Sequence, residues 1–176
     1  MPAFAAVAHI DTFELAGSLR QKWGLFKSTG IPGLRILRVR GVKTGTEEGP
    51  EEFVRYKPTL GWVELDNLRG EIERRAETIM PPGVDFGEIS LEMLDAGATL
   101  NWTVAGDAPY FMRWSRAIVP LRTGPGVLFV CGVETANPGV GWLTIVSPRL
   151  PHCAINLGDA PCVWLSIDFR RKQADA

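Results

Sequence analysis

From Phe86 onward, the chain is a series of short apolar runs separated by turn residues. Each run has the length of one β-strand, and the breaks between the runs are rich in Gly, Pro, Asn and Asp. Long helices are excluded here, because proline and glycine interrupt helical hydrogen bonding wherever they recur. We therefore predict about seven short strands in this half of the chain, arranged as a sandwich or a barrel.

The first half of the chain contains two segments with helical periodicity. Asp11 and Thr12 can cap a helix whose apolar residues recur every three or four positions as far as Phe26. A second helix is predicted over about residues 63–80, where one apolar stripe lies opposite charged residues and two prolines follow. Helices followed by a run of strands indicate an α+β domain.

The first half also contains two predicted strands. One is a strand or arm at residues 5–10, and the other covers residues 34–42, LRILRVRGV. The three arginines of the second segment are typical of an edge strand kept soluble by its charge, and a phosphate-binding patch is the alternative. Residues 44–52 are rich in Gly, Pro, Thr and Glu, and we expect an exposed loop there.

Length and charge narrow the class of protein. A chain of 176 residues is expected to form a single domain, residues 1–176, with room for an internal cavity. The net charge of -1 argues against a nucleic-acid partner. No apolar run approaches the ~20 residues of a membrane-spanning helix, so we expect a cytoplasmic protein without a membrane partner. A homodimer is the only protein complex that we consider possible from the sequence.

Residues that could bind a metal are scarce. Cys131, Cys153 and Cys162 lack paired metal-site spacing, and we predict reduced, buried thiols for them. The chain has two histidines, His9 and His152. His152 follows a proline just before the turn that leads into the last long apolar run.

Four segments of the strand-rich half carry the motifs of a known family. Residues 116–126, RAIVPLRTGPG, are similar to its R-x-H-I/V-P-L-x-T-N-P, and residues 141–143 resemble its G-E-x-W. Residues 151–159, PHCAINLGD, resemble its P-H-x-V-x-N-x-G-D, and residues 165–169 follow at the end of the last strand. The chain thus resembles the aspartyl/asparaginyl (proline) β-hydroxylases, which are Fe(II)/2-oxoglutarate dioxygenases.

The resemblance covers residues 86–169 well and the preceding residues only weakly. It implies an α+β fold: a double-stranded β-helix, which is a jelly-roll or cupin-like barrel, flanked by N-terminal helices. Residues 1–85 would then be mainly helical support, and residues 86–169 would form the barrel strands.

The family's iron and cosubstrate residues are mostly missing from this sequence. Its iron triad needs two histidines and one carboxylate. The His-x-Asp pair of the family falls on Thr103 and Ala105, while its second histidine matches His152. The oxoglutarate-binding arginine falls on Cys162, and a histidine that often follows it falls on Trp164. We therefore expect no metal and no cofactor, with Fe(II) and 2-oxoglutarate as the alternative.

If the barrel is kept, strand alternation and the family's inward positions predict a cavity lined by indoles. The predicted substrate-binding residues are Trp102, Thr103, Trp114, Ile118, Cys162, Trp164 and Ser166. Plain packing is the alternative for the tryptophans.

Three residues are the predicted catalytic groups of this cavity. Arg116 offers a permanent cation and planar donors for a carbonyl or carboxylate, and His152 can exchange a proton near neutral pH. Asp107, at the predicted mouth, could orient or complement either of them. For Arg116, an ion pair with Asp168 or another acid is the alternative.

Three functions from different classes follow from this sequence. The first is a natural-product tailoring enzyme without iron, which folds a small apolar or aromatic substrate for a non-oxidative cyclisation or isomerisation. The second is an atypical Fe(II)/2-oxoglutarate hydroxylase, and the third is a non-catalytic small-ligand binding protein. The first is our leading hypothesis, because a likeness to a family transfers its fold more safely than its activity.

Overall fold

Two antiparallel sheets of unequal size make up the strand part of the fold. The computed structural model describes residues 3–19, 23–42, 53–55, 63–103 and 113–172. The larger sheet has eight strands and the smaller has three. The strands are β1 (Phe4–His9), β2 (Lys27–Ser28), β3 (Leu34–Val42), β4 (Phe53–Arg55), β5 (Val84–Leu94), β6 (Ser115–Arg122), β7 (Val127–Cys131), β8 (Glu134–Ala136), β9 (Trp142–Val146), β10 (His152–Asn156) and β11 (Cys162–Arg171).

The described residues of the first half of the chain form two helices, α1 (Phe13–Leu19) and α2 (Val63–Ile79). The second helix is confirmed at its predicted position. The first ends earlier than predicted and is followed by a short 3-10 turn at Trp23–Leu25. Phe26 is nevertheless buried in the same core as α1, so the apolar periodicity identified the core residues although residues 23–25 form a 3-10 turn.

The larger sheet has the strand order β1-β9-β6-β11-β5-β3-β2, and β4 also pairs with β3. One face of this sheet packs against the helices through alternate residues of its long central strands. On β5 these residues are Ile89, Leu91 and Met93, and they belong to the same buried cluster as Ile72 and Ala76 of α2. Burial of this apolar surface is the main stabilising contribution of the helical layer.

The opposite face of the larger sheet packs against the small sheet, whose order is β10-β7-β8. A second buried cluster lies between the sheets and includes Phe129 of β7, Ala154 of β10, Ile118 of β6 and Trp164 of β11. The rings of Phe129 and Trp164 meet edge to face, with centroids 5.2 Å apart. Two sheets enclosing an apolar interior form the predicted double-stranded β-helix.

The N-terminal part contributes strands as well as helices. Strands β1 to β4 all lie there and join the larger sheet. The strand at residues 34–42 is also not an edge strand, because β3 pairs with β5 on one side and with β2 and β4 on the other. The predicted loop at residues 44–52 lies outside the described residues.

Two of the three arginines of β3 have acidic partners, which does not favour the alternative of a phosphate-binding patch. Arg35 forms an ion pair with Asp95, and Nη1 of Arg40 lies 3.6 Å from Oε1 of Glu73 on α2. The second pair ties the sheet to the helical layer. These arginines therefore contribute to the fold, as acids from neighbouring elements already balance their charge.

The three cysteines are free and buried, as predicted. Burial raises the pKa of the Cys162 thiol to about 11, so this thiol is protonated at neutral pH. Among the described residues, no helix is long and apolar enough to cross a membrane.

Asn156, at the end of β10, fastens the turn that leads into β11. It is fully buried, and its Nδ2 donates to the carbonyl oxygens of Leu94, Asp95 and Ala160 at 3.1, 3.1 and 2.9 Å. Its Oδ1 accepts a hydrogen bond from the backbone N–H of Gly158 at 3.0 Å. The N-x-G part of the PHCAINLGD motif thus stabilises the turn between β10 and β11.

Replacing Asn156 with alanine is expected to lower the free energy of unfolding by about 2–3 kcal/mol, because buried carbonyl groups lose their donor. Urea unfolding measures the change. The control is Asn137→Ala, since Asn137 is exposed and donates to the Gly124 carbonyl from the protein surface. An equal loss in the two variants would contradict the structural role of the buried amide.

Candidate functional site

A cavity of about 240 Å³ lies inside the barrel, between the inner face of the larger sheet and the small sheet. Its wall is mostly apolar, and polar side chains enter it from only a few positions. The apolar residues include Phe4, Leu34, Ile118, Phe129, Val146 and Trp164. The polar or ionisable residues include Glu92, Thr103, Arg116, His152 and Ser166. An apolar enclosure with a few convergent polar groups is the usual form of a small-molecule site.

Three adjacent strands of the larger sheet supply one wall of the cavity. The central strand, β11, pairs with β5 on one side and with β6 on the other. Its residues Trp164, Ser166 and Asp168 alternate along the inner face, where Trp164 lies opposite Glu92 and Asp168 lies opposite Arg116. This register brings the acidic, hydroxyl and cationic groups together on neighbouring strands.

Arg116 is held by a two-pronged ion pair with Asp168. Its Nε donates to Oδ1 at 2.7 Å and its Nη2 donates to Oδ2 at 2.9 Å. Asp168 is 1% exposed, whereas about a quarter of the Arg116 side chain remains accessible. Burial lowers the pKa of Arg116, but the nearby Asp168 carboxylate outweighs that effect, and the net shift is upward. The guanidinium is therefore permanently charged and already paired, as one of the sequence alternatives stated.

Glu92 is the functional candidate that sequence reasoning missed. It lines the cavity, and Oγ of Ser90 donates to its Oε1 at 3.3 Å. Burial raises the pKa of this carboxyl, and the Arg116 charge and the serine hydroxyls only partly offset the effect. A carboxyl with a raised pKa in a cleft can act as an acid and a base, so Glu92 is a proton-transfer candidate.

A signal for Glu92 was present in the sequence of β5. The alternate residues Glu88, Ser90 and Glu92 are polar, and their neighbours are apolar. In an isolated sheet this pattern indicates a solvent-facing side. In a barrel the same side faces the interior, and combining the alternation with the predicted closure would have pointed Glu92 into the cavity.

His152 lines the cavity from the small sheet, opposite the polar wall. Its Nδ1 lies 2.8 Å from the carbonyl oxygen of Leu150. A carbonyl can only accept, so Nδ1 carries the hydrogen and Nε2 is the nitrogen that can accept a proton. The backbones of Thr103 and His152 form a β-bridge with N–O distances of 2.9 and 2.8 Å. The family's first histidine, which the resemblance aligns with Thr103, would therefore lie directly beside His152.

The predicted substrate-binding residues divide into two groups. Thr103, Ile118, Trp164 and Ser166 line the cavity together with the predicted catalytic residues Arg116 and His152. The other three predicted substrate-binding residues lie elsewhere. Asp107 lies outside the described residues.

Trp102, Trp114 and Cys162 are not among the residues that line the cavity. Trp102 is 59% exposed, since it follows a turn and lies outside the regular strands. Trp114 precedes β6, so the alternation of that strand does not govern it, and the guanidinium of Arg170 stacks on its ring at 4.6 Å. Cys162 is buried in the apolar cluster between the sheets. The expectation of an indole-lined cavity is therefore wrong for the described wall, where Trp164 contributes the only indole.

The fold of this chain is similar to the folds of several solved structures. The fold is similar over 98% of its length to an oxidoreductase of the 2OG-Fe(II) oxygenase family from Burkholderia pseudomallei, with a TM-score of 0.62, 13% identity and 89% of that chain covered. A Pseudomonas putida prolyl-4-hydroxylase matches with a TM-score of 0.56 and 18% identity, over 97% of this chain and 93% of that chain. This is the fold of the 2OG-Fe(II) oxygenases.

A third similar structure is HygX from Streptomyces hygroscopicus, solved with nickel and 2-oxoglutarate bound. Its TM-score is 0.58 at 9% identity, over 96% of this chain and 83% of that chain. No protein-family model matches the chain, and no curated protein matches its sequence. At these identities the likeness establishes the fold, while the activity has to be argued from the side chains of the site.

The described residues that line the cavity do not supply the full donor set of an oxygenase iron site. A facial triad takes two histidines and one carboxylate, and His152 is the only histidine among the described lining residues. The ring of His9 packs edge-on against Trp142 at 5.5 Å, and the two residues pair across β1 and β9. Within the described ranges, no three His, Cys, Asp or Glu side chains are grouped as a metal site requires.

Proposed function

We propose that this chain is a small-molecule tailoring enzyme on an oxygenase-like scaffold, and that it catalyses a non-oxidative cyclisation or isomerisation without a metal or cofactor. The observation that carries the proposal is the cavity itself. It is mostly apolar, its polar wall combines Glu92, Arg116 and Ser166, and the part of the chain that the structure describes does not complete an iron donor set. We further propose, on the motifs at residues 116–126 and 151–159, that its relatives are the aspartyl/asparaginyl hydroxylases.

Proton transfer is the chemistry that the polar wall supports. Glu92 in its neutral form can donate a proton to a carbonyl or hydroxyl oxygen of the substrate, as carboxylic acids in apolar sites do. The resulting carboxylate is stabilised by the Arg116 charge and by the hydroxyls of Ser90 and Ser166. It can then take a proton from another atom of the same substrate, so that the product is an isomer and the enzyme is restored.

Two further residues have roles in this proposal. The Nε2 of His152 can accept or relay a proton from the opposite wall, because its Nδ1 is held by the Leu150 carbonyl. The Trp164 ring, fixed edge-on against Phe129, gives the substrate a rigid apolar surface that restricts its conformations. Folding a flexible substrate into one reactive shape lowers the entropic part of the barrier.

Mass-neutral conversion in the presence of EDTA tests the proposal. The purified protein is incubated with a panel of small apolar and aromatic carbonyl compounds, with EDTA and without added iron or 2-oxoglutarate. Liquid chromatography with mass detection should reveal a product of unchanged mass and altered retention. The exposed-residue variant Glu77→Gln serves as a matched control that should keep the activity.

An atypical Fe(II)/2-oxoglutarate hydroxylase is the second candidate, because the fold is shared with oxygenases and His152 lines the cavity beside Thr103. Stoichiometric iron in the purified protein, release of succinate and a product heavier by one oxygen atom would support this candidate. The same results would contradict the leading proposal. Loss of all activity in EDTA would contradict it as well.

A further inference from the structure

We propose that the cavity selects an uncharged ligand with a carbonyl or hydroxyl oxygen and rejects carboxylates, including 2-oxoglutarate. This inference rests on the proposed function, because it names the class of molecule that the same cavity takes. The sequence allowed Arg116 to bind either a carbonyl or a carboxylate, and the inference keeps only the carbonyl.

The charge of Arg116 is already balanced inside the protein. Among the described lining residues, Arg116 has the only permanent positive charge, and both oxygens of the buried Asp168 accept hydrogen bonds from it. An incoming carboxylate would meet the guanidinium together with its counter-ion, so attraction and repulsion largely cancel. The remaining acid on this wall, Glu92, adds repulsion whenever it is ionised.

The position that would hold oxoglutarate in the family offers no cation either. The arginine of the family aligns with Cys162, which is buried among apolar residues. Arg170, at the other end of β11, pairs with Asp85 at 3.3 Å and lies over Trp114 instead of lining the cavity. A dicarboxylate would therefore lose its hydration without gaining a charged partner, which is strongly unfavourable in an apolar enclosure.

An uncharged oxygen fits the same wall well. Glu92 in its acid form and Ser166 can both donate hydrogen bonds to such an oxygen. The apolar walls formed by Phe129, Ile118 and Val146 suit the hydrocarbon body of such a ligand. The volume of about 240 Å³ is below the usual range of drug-sized sites, which favours a compact ligand.

Benzamide and benzoate are a matched pair of probes, since they share size and ring and differ in charge. Binding is followed by NMR at pH 7 through the indole N–H resonance of Trp164, which the variant Trp164→Phe assigns. We expect benzamide to shift this resonance saturably and benzoate to bind at least about tenfold more weakly, which corresponds to 1.4 kcal/mol. 2-Oxoglutarate should leave the resonance unchanged.

The variant Asp168→Asn tests the cause of the selectivity. It removes the counter-ion of Arg116, and we expect the preference for benzamide over benzoate to shrink by about tenfold. The control is Asp85→Asn, which alters the Arg170 pair outside the cavity and should leave the preference unchanged. If Asp168→Asn fails to fold, the wild-type ratio and the 2-oxoglutarate titration decide alone.

Three outcomes would overturn the inference. They are benzoate or 2-oxoglutarate binding as tightly as benzamide, no response to benzamide up to its solubility limit, and an unchanged preference in a folded Asp168→Asn variant. These are binding measurements, so they do not depend on turnover. A protein that prefers benzamide but converts none of the panel compounds would keep this inference and lose the proposed function.

Discussion

Replacing Glu92 with glutamine is expected to reduce turnover at neutral pH by about 100-fold or more, the usual contribution of a positioned acid or base. Glutamine keeps the size of the side chain and can still donate a hydrogen bond, but it cannot transfer a proton. Binding of an uncharged ligand should therefore change little, and the loss should appear in kcat and not in KM. The measurement is the rate of mass-neutral conversion in EDTA, with Glu77→Gln as the control.

The pH dependence of the wild-type protein gives an independent test of Glu92. Its acid form is the active one, so turnover should fall as the pH rises through the elevated pKa of this carboxyl. The charged groups that act on it are Arg116 and Asp168, and Glu88 acts on Arg116 in turn, while His152 lines the cavity from the small sheet. A rate that shows no such decline would exclude Glu92 as the proton donor.

The raised pKa of Glu92 also predicts that the free energy of unfolding of the wild type falls as the pH rises. The folded protein keeps the Glu92 proton to a higher pH than the unfolded chain, whose glutamates titrate near about 4.3. Stability from this group is thus complete below that value and is lost as the pH rises through the folded-state pKa. Glu92→Gln should be as stable as the wild type at low pH and more stable above it, which separates lost catalysis from lost folding.

Local periodicity was sufficient to predict much of the fold. The second helix was predicted from one apolar stripe, and it lies at Val63–Ile79. The motif at residues 151–159 predicted the turn that leads from β10 into β11, and Asn156 fixes this turn. The partners of β3 could not be predicted in this way, because a strand with three arginines resembles an edge until the acids that pair with it are known.

The site was predicted only in part. The polar side of a strand usually faces solvent in an isolated sheet, whereas in a closed barrel the same side can face the interior. Arg116, Ile118, Trp164 and Ser166 were predicted correctly to face the interior, since strand alternation from the motifs reaches them directly. Glu92 was missed because its strand was interpreted without the second sheet that covers it. Trp114 was misplaced for the opposite reason, as the regular alternation starts only after it, at Ser115.

Breaking the ion pair between Arg116 and Asp168 is expected to have the largest effect on stability. Arg116→Met leaves a carboxylate that is 1% exposed without its partner, and the free energy of unfolding should fall by about 3–5 kcal/mol. Asp168→Leu should cost less, because about a quarter of the Arg116 side chain is accessible, whereas the Asp168 side chain is almost fully buried.

The double variant Arg116→Met with Asp168→Leu separates the interaction energy of the ion pair from the cost of leaving one buried charge without its partner. Neither charge of the pair remains in it, so it should be more stable than Arg116→Met alone, as apolar replacement of a buried pair often is. Urea unfolding of all four proteins gives the coupling energy, which we expect to exceed about 1 kcal/mol. The exposed pair of Arg170 and Asp85 is the control cycle, with an expected coupling of about 0–1 kcal/mol. Equal couplings in the two cycles would mean that water screens Arg116 as well, and the charge balance that excludes carboxylates from the cavity would lose its physical basis.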